Sequence, residues 1–351
     1  MRIRFFAVAA LAVLALSAFA QGPKETPDEM LAAIKAVKMP VYDQTKAQDK
    51  DYVAQFRKDQ MAAMDEKSKL IWSFYKEYPN NDEVANLMPQ RWGSMLRKIE
   101  DVPVVLKEVD EVIATSTNDK VQIAGLYARA NFTMYIDEDG TKAKGPVEAF
   151  IKKAPTDERS AGLLAQLAGN VKDKNEKLAL YNRVLTDYPN YRGNKYLKGK
   201  LRQVNEMGKP FELSFTDAIS GAKKTMADFK GKVVIIDYWA TWCGPCVAEL
   251  PKMKKLYAEM HPKGLEMISV SLDVPEDKGQ GLTKLKDFVA KNDMPWSHYY
   301  QGNYWDSEFS TGWGINSIPC LFLIDQNGNL VDVEAREGIE EKVKKLLEKG
   351  A

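Results

Sequence analysis

The chain has 351 residues, and 50 Lys and Arg stand against 49 Asp and Glu, so a net charge of +1 leaves no electrostatic footprint for nucleic acid or an anionic membrane surface. Its three cysteines, Cys243, Cys246 and Cys320, are too few for a disulfide framework, so two of them call for a chemical explanation. His261 and His298 are the only histidines, which leaves no four-ligand zinc pattern; neither a metal nor a cofactor is expected.

Residues 1–20 read as a secretory signal: Met1-Arg2-Ile3-Arg4, an apolar run from Phe5 to Leu16, then Ser17-Ala18-Phe19-Ala20 with small residues for the peptidase. An uncleaved anchor is the alternative, but a spanning helix wants about twenty apolar residues and this run is shorter. Cleavage after Ala20 leaves 331 residues, enough for two domains. No later segment is apolar enough to cross a membrane, so the expectation is a mature chain that does not span one, located in the periplasm or secreted.

From 21 to 207 the chain is rich in Ala, Lys, Glu, Leu and Gln, with apolar residues at helical spacing, and it is expected to be all helix. Phe74-Tyr75-Lys76-Glu77-Tyr78-Pro79 returns as Phe150-Ile151-Lys152-Lys153-Ala154-Pro155, and Asp187-Tyr188-Pro189 follows. The spacings fit a period in the mid-thirties. A helix closed by a proline at that period resembles the tetratricopeptide-type helical hairpin. A short hairpin array and an irregular helical bundle both remain open, as do a partner-binding surface and a plain spacer.

The texture changes at Gly208-Lys209-Pro210, which sets the second domain at 208–351. Strands are expected at Phe211–Phe215, Val233–Tyr238, Leu265–Leu272, Leu321–Ile324 and Leu330–Val333. Helices are expected at Pro245–Met260, Leu282–Asn292 and Gly338–Lys349, with Gln326-Asn327-Gly328-Asn329 as a hairpin turn. That order is the thioredoxin order: an α/β fold with a central mixed sheet flanked by helices, preceded by an all-α domain.

Val233 to Trp242 runs a buried strand straight into Cys243-Gly244-Pro245-Cys246 at a helix N-terminus. Unpaired backbone N–H groups and the helix dipole favour a thiolate there. Two residues between the sulfurs let a disulfide close and reopen with little backbone movement. Cys243, at the open end, is the expected attacking thiol and Cys246 the resolving one.

With these residues in view, the stretch from Lys209 onward resembles the TlpA/ResA-type thioredoxin-like proteins of bacterial envelopes. The features that carry the resemblance are Trp242-Cys243-Gly244-Pro245-Cys246, Met226-Ala227-Asp228-Phe229-Lys230-Gly231-Lys232, Glu249 three residues past Cys246, Met294-Pro295-Trp296 and Gly314-Ile315-Asn316-Ser317-Ile318-Pro319. It implies that the Ile318–Pro319 bond is cis and that Ile318 offers backbone groups to an extended substrate. It makes Trp242 an apolar wall beside Cys243, with simple packing as the bland alternative; with Gly244, Pro245, Ile318 and Pro319, Trp242 makes up the expected substrate-binding set. It assigns Asp237 and Glu249 to proton movement for the resolving thiol, while Ser269 stands where thioredoxins proper have a lysine. Cys320 departs from the pattern, and it reads either as a small buried hydrophobe or, lying close to Cys246, as an internal exchange partner.

The function expected is a thiol-disulfide oxidoreductase. Gly244-Pro245 is the dipeptide of reducing thioredoxins, which points to reduction of disulfides in envelope proteins with electrons resupplied by a membrane thiol-electron donor. A peroxiredoxin-like thiol peroxidase and a non-catalytic, partner-binding adaptor are the rival readings.

Overall fold

A computed structural model describes residues 25–349, so the signal segment 1–20 lies outside the described residues. The chain forms two compact units that divide between Asp157 and Glu158.

The first unit is helical: α1 (Pro27–Ala36), α2 (Lys50–Glu77), α3 (Val84–Met95), α4 (Val102–Thr115), α5 (Asp119–Tyr135) and α6 (Thr141–Lys153). Its core gathers Phe74, Val84, Trp92, Val105, Val109 and Val112, all fully buried. The proline periodicity has a structural counterpart. The α2 and α6 helices are each followed by one capping residue, Tyr78 or Ala154, and then a proline, and each capping residue returns its N–H to the carbonyl four positions back. At these two positions the proline, which has no N–H to donate to the helix ladder, follows directly on the residue where the helix stops.

The second unit begins with α7 (Arg159–Asn170), α8 (Lys174–Asp187) and α9 (Asn194–Glu206). The α8 helix stops in the same way, at Tyr188 before Pro189. A two-stranded ribbon follows, β1 (Ser214–Thr216) with β2 (Lys223–Thr225). Of the strand expected at Phe211–Phe215, only its last two residues are extended in a ladder. Phe211 and Leu213 instead bury their side chains in the core.

The remainder is β3 (Val233–Trp239), α10 (Gly244–Met260), β4 (Leu265–Ser271), α11 (Glu276–Gly279), α12 (Gly281–Asn292), β5 (Ser297–Tyr300), α13 (Glu308–Gly312), β6 (Cys320–Ile324), β7 (Leu330–Asp332) and α14 (Ile339–Lys349). Five of these strands make one mixed sheet in the order β5-β4-β3-β6-β7. The β3–β4 and β4–β5 pairs are parallel; β3–β6 and β6–β7 are antiparallel. The central place of β3 follows from its residues, because Val233-Val234-Ile235-Ile236 is apolar on both faces and only a strand covered on both sides can use that. The turn between β6 and β7 is made by Asp325, whose carboxylate accepts the N–H groups of Asn327 and Asn329, with Gly328 at φ 84°. This is a thioredoxin-like fold, with the C-terminal end of β3 aimed at the cysteine pair.

Candidate active site

The loop from β3 to α10 is held from below by Asp273, a fully buried carboxylate just past the end of β4. It accepts the Thr241 N–H at 3.2 and 3.3 Å, the Thr241 hydroxyl at 2.6 Å and the Ser271 hydroxyl at 2.7 Å. Three donors on one buried carboxylate make a rigid anchor, set immediately before Trp242 and Cys243.

Cys243 is the N-cap of α10, and its sulfur accepts the N–H of Cys246 at 3.2 Å. The helix dipole therefore points at this sulfur. The pair is closed as a disulfide, with Cα atoms 5.3 Å apart. Surface exposure does not separate the two sulfur-bearing residues, at 5% for Cys243 and 8% for Cys246. Their neighbours do separate them: Trp242, Gly244 and Pro245 around Cys243 are exposed, and the space above Gly244 is open. Cys246 instead lines an inner cleft with Asp237, Trp239, Glu249 and Pro319. That cleft measures about 20 Å³, enough for a single water.

Asp237 lies in β3 opposite Ser269 of β4 and Leu321 of β6. Burial pushes its carboxyl up to about 7; the Ser269 hydroxyl, donating at 3.3 Å, pulls the other way, and the charge of Glu249 adds to the rise. Ser269 is itself fixed by the indole N–H of Trp296 at 2.8 Å. A hydroxyl backed by an indole thus lies beside Asp237, and it brings no positive charge there.

Glu249 has different surroundings from Asp237. It is half-buried and ion-paired with Arg336, whose Nε lies 2.9 Å from Oε1 and whose Nη2 reaches the same oxygen. The Ile318–Pro319 bond is cis, and both residues are half-exposed, Pro319 at the rim of the cleft.

Of the two readings of Cys320, strand alternation supports the small buried thiol, which faces away from the cleft that Cys246 lines. Asp237 and Leu321, paired across β3 and β6, both line the cleft under Cys246, so the next pair along, Tyr238 and Cys320, faces the other side of the sheet. There Cys320 is a free thiol; burial pushes its pKa up to about 11, with the charge of Lys200 pulling it down and those of Asp237 and Glu334 adding to the rise.

Over 145 residues the chain is 30% identical to the thiol-disulfide oxidoreductase ResA of Bacillus thuringiensis subsp. konkukian, covering 40% of this chain and 79% of that protein. The chain belongs to the ResA family of thiol-disulfide oxidoreductases. The ResA protein of Oceanobacillus iheyensis is also 30% identical, over 38% of this chain and 66% of the relative. The AhpC/TSA family profile matches residues 204–333. Among solved structures, the thioredoxin domain of a Bacteroides vulgatus thiol-disulfide oxidoreductase is similar at 24% identity, over 40% of this chain and 97% of that one, with a TM-score of 0.35. The AhpC/TSA match falls on the C-terminal part of the chain, where the redox pair lies.

Two site residues escaped the sequence reading. Asp273 sits 32 positions past Thr241 and Arg336 sits 87 past Glu249, and no local motif links either pair. Ser271-Leu272-Asp273 ends a strand expected beside β3, a hint that was available but not specific. Among the described residues no helix is long and apolar enough to cross a membrane.

Proposed function

We propose that the protein is an exported reductase of protein disulfides in the bacterial envelope, and that Cys243 attacks while Cys246 resolves. The observation that carries this is the Cys243–Cys246 pair at the N-terminus of α10, open on the Cys243 side and backed by a raised carboxyl on the Cys246 side. In the reduced protein the Cys243 thiolate displaces one sulfur of a substrate disulfide and forms a mixed disulfide. Asp237 takes the Cys246 proton, and the Cys246 thiolate then attacks the Cys243 sulfur. The second substrate thiol leaves, and the two electrons have passed from the enzyme dithiol to the substrate.

A base with a pKa of about 7 suits that proton transfer at neutral pH. Glu249, pinned by Arg336, keeps a negative charge near Asp237 and so helps hold its carboxyl up. Trp242, Gly244 and Pro245 line the approach to Cys243, and the backbone of Ile318 beside Pro319 supplies an edge for an extended substrate. A reductase in an oxidising compartment needs electrons, which a membrane thiol-electron donor would supply. The signal-like residues 1–20 support export.

Cys246→Ser tests the assignment. The variant should accumulate mixed disulfides through Cys243, whereas Cys243→Ser should lose exchange altogether; a fully active Cys243→Ser protein would contradict the reading. The AhpC/TSA match favours a second reading, a thiol peroxidase. The expected outcome is no thiol-dependent consumption of hydrogen peroxide above the rate of free thiols, and a rapid Cys243-dependent turnover of peroxide would replace reduction with peroxidation.

A further inference from the structure

Three large rings lie together beside the redox pair. Trp242 is 44% exposed and Tyr304 38% exposed. Their ring centroids are 5.1 Å apart, and Trp305 lies 6.0 Å from Trp242 and 5.9 Å from Tyr304. Trp305 is half-buried and rests on the core, so the patch has a fixed floor. Exposed Trp and Tyr side chains in one place are uncommon on a protein surface unless something binds there, and these two residue types dominate binding hot spots.

The backbone under the patch is tied down. Tyr304 has φ 52°, a left-handed conformation that a large aromatic residue rarely adopts. Its N–H bonds the carbonyl of Asp273 at 3.4 Å. The Asp273 carboxylate meanwhile holds Thr241, the residue before Trp242. One buried residue thus fixes both sides of the aromatic cluster. Ring positions set this firmly are pre-organised for contact, so little ordering remains to be done on binding.

We propose that Trp242, Tyr304 and Trp305 form a docking patch for the polypeptide segment flanking the substrate's reactive cysteine, and that the enzyme prefers disulfides beside aromatic or large apolar side chains. This rests on exchange at Cys243. The patch is continuous with that site, because Trp242 directly precedes Cys243, and the open space over Gly244 lets a chain that brings its sulfur to Cys243 pass along the rings. The occupant is a polypeptide because three adjacent rings match flanking side chains, which a small disulfide does not carry.

The test uses the full-length protein, dithiothreitol as reductant and two peptides, each in mixed disulfide with glutathione, identical except for Phe or Ser beside the cysteine. With the wild-type protein, kcat/KM should be about tenfold higher for the Phe peptide, the size expected of favourable ring contacts. In Tyr304→Ser the ratio should fall toward one, and in Tyr304→Phe it should be retained, which separates ring contact from general damage. Equal wild-type rates, or a ratio unchanged in Tyr304→Ser, would overturn the proposal. Turnover of neither peptide would overturn exchange at Cys243 itself, and the docking patch with it.

Discussion

Asp237 places a proton-binding group inside the domain at a cost that depends on pH. Its carboxyl ionises near 3.8 in an unfolded chain and at about 7 in the folded one, so between these values the folded state holds a proton that the unfolded state has released. The native state is therefore unpenalised below about pH 4, loses stability as pH rises, and bears the full cost above about pH 7. Replacing Asp237 by Asn removes the cost while keeping an acceptor for Ser269. In the oxidised protein, Asp237→Asn should gain on the order of 3 kcal/mol more stability at pH 8 than at pH 4, read from denaturant midpoints at the two pH values. An equal effect at both would mean that Asp237 ionises normally. The same variant should slow resolution of the mixed disulfide by about 10²-fold at pH 7, measured by rapid quench. Glu249→Gln removes a charge that raises Asp237, so the pH midpoint of resolution should move down. At this scale the chain displayed its cysteines and both carboxylates openly, through a compact motif and the resemblance it carries. Asp273 and Arg336 were hidden because they meet their partners only after the sheet has formed.

Strand alternation decides what Cys320 can do. Side chains along β6 point to opposite faces in turn, so with Leu321 in the redox cleft Cys320 faces away from it. Cys320→Ala should change the exchange rate by less than about twofold, in an assay with a glutathione mixed disulfide, and a loss of tenfold or more would mean that the thiol reaches the redox pair. The same alternation explains which strands the sequence displayed. The run Val233 to Ile236 is branched and apolar throughout, a clear signal of a strand buried on both faces. By contrast, Ser297-His298-Tyr299-Tyr300 at the sheet edge is short and mixed, and only its pairing with β4 makes it a strand. The prolines at 79, 155 and 189 were readable as helix ends because proline acts locally, through its own ring and missing donor.

On the scale of the whole chain, composition changes at Gly208, where helix gives way to strand, while the compact unit that contains the sheet begins at Glu158. Composition reports secondary structure, whereas compactness reports packing. The α9 helix illustrates the difference. Gln203 donates to the carbonyl of Trp313, Arg202 stacks 4.0 Å over the Trp313 ring, and Gly199 meets the Gly314 backbone so closely that an added Cβ would lie 2.0 Å from its nitrogen. Gly199→Ala should cost about 1–3 kcal/mol by overpacking, seen as a lower thermal midpoint; an unchanged midpoint would show that α9 is not held against the sheet domain.

The reduction potential of the Cys243–Cys246 pair, obtained by equilibration in dithiothreitol or glutathione buffers, tests the reductase assignment most directly. Gly244-Pro245 between the cysteines predicts a value near that of thioredoxin, about −270 mV, at which the reduced protein donates electrons to most protein disulfides. A value near about −120 mV, that of a strong oxidant, would contradict it and assign the protein to disulfide formation.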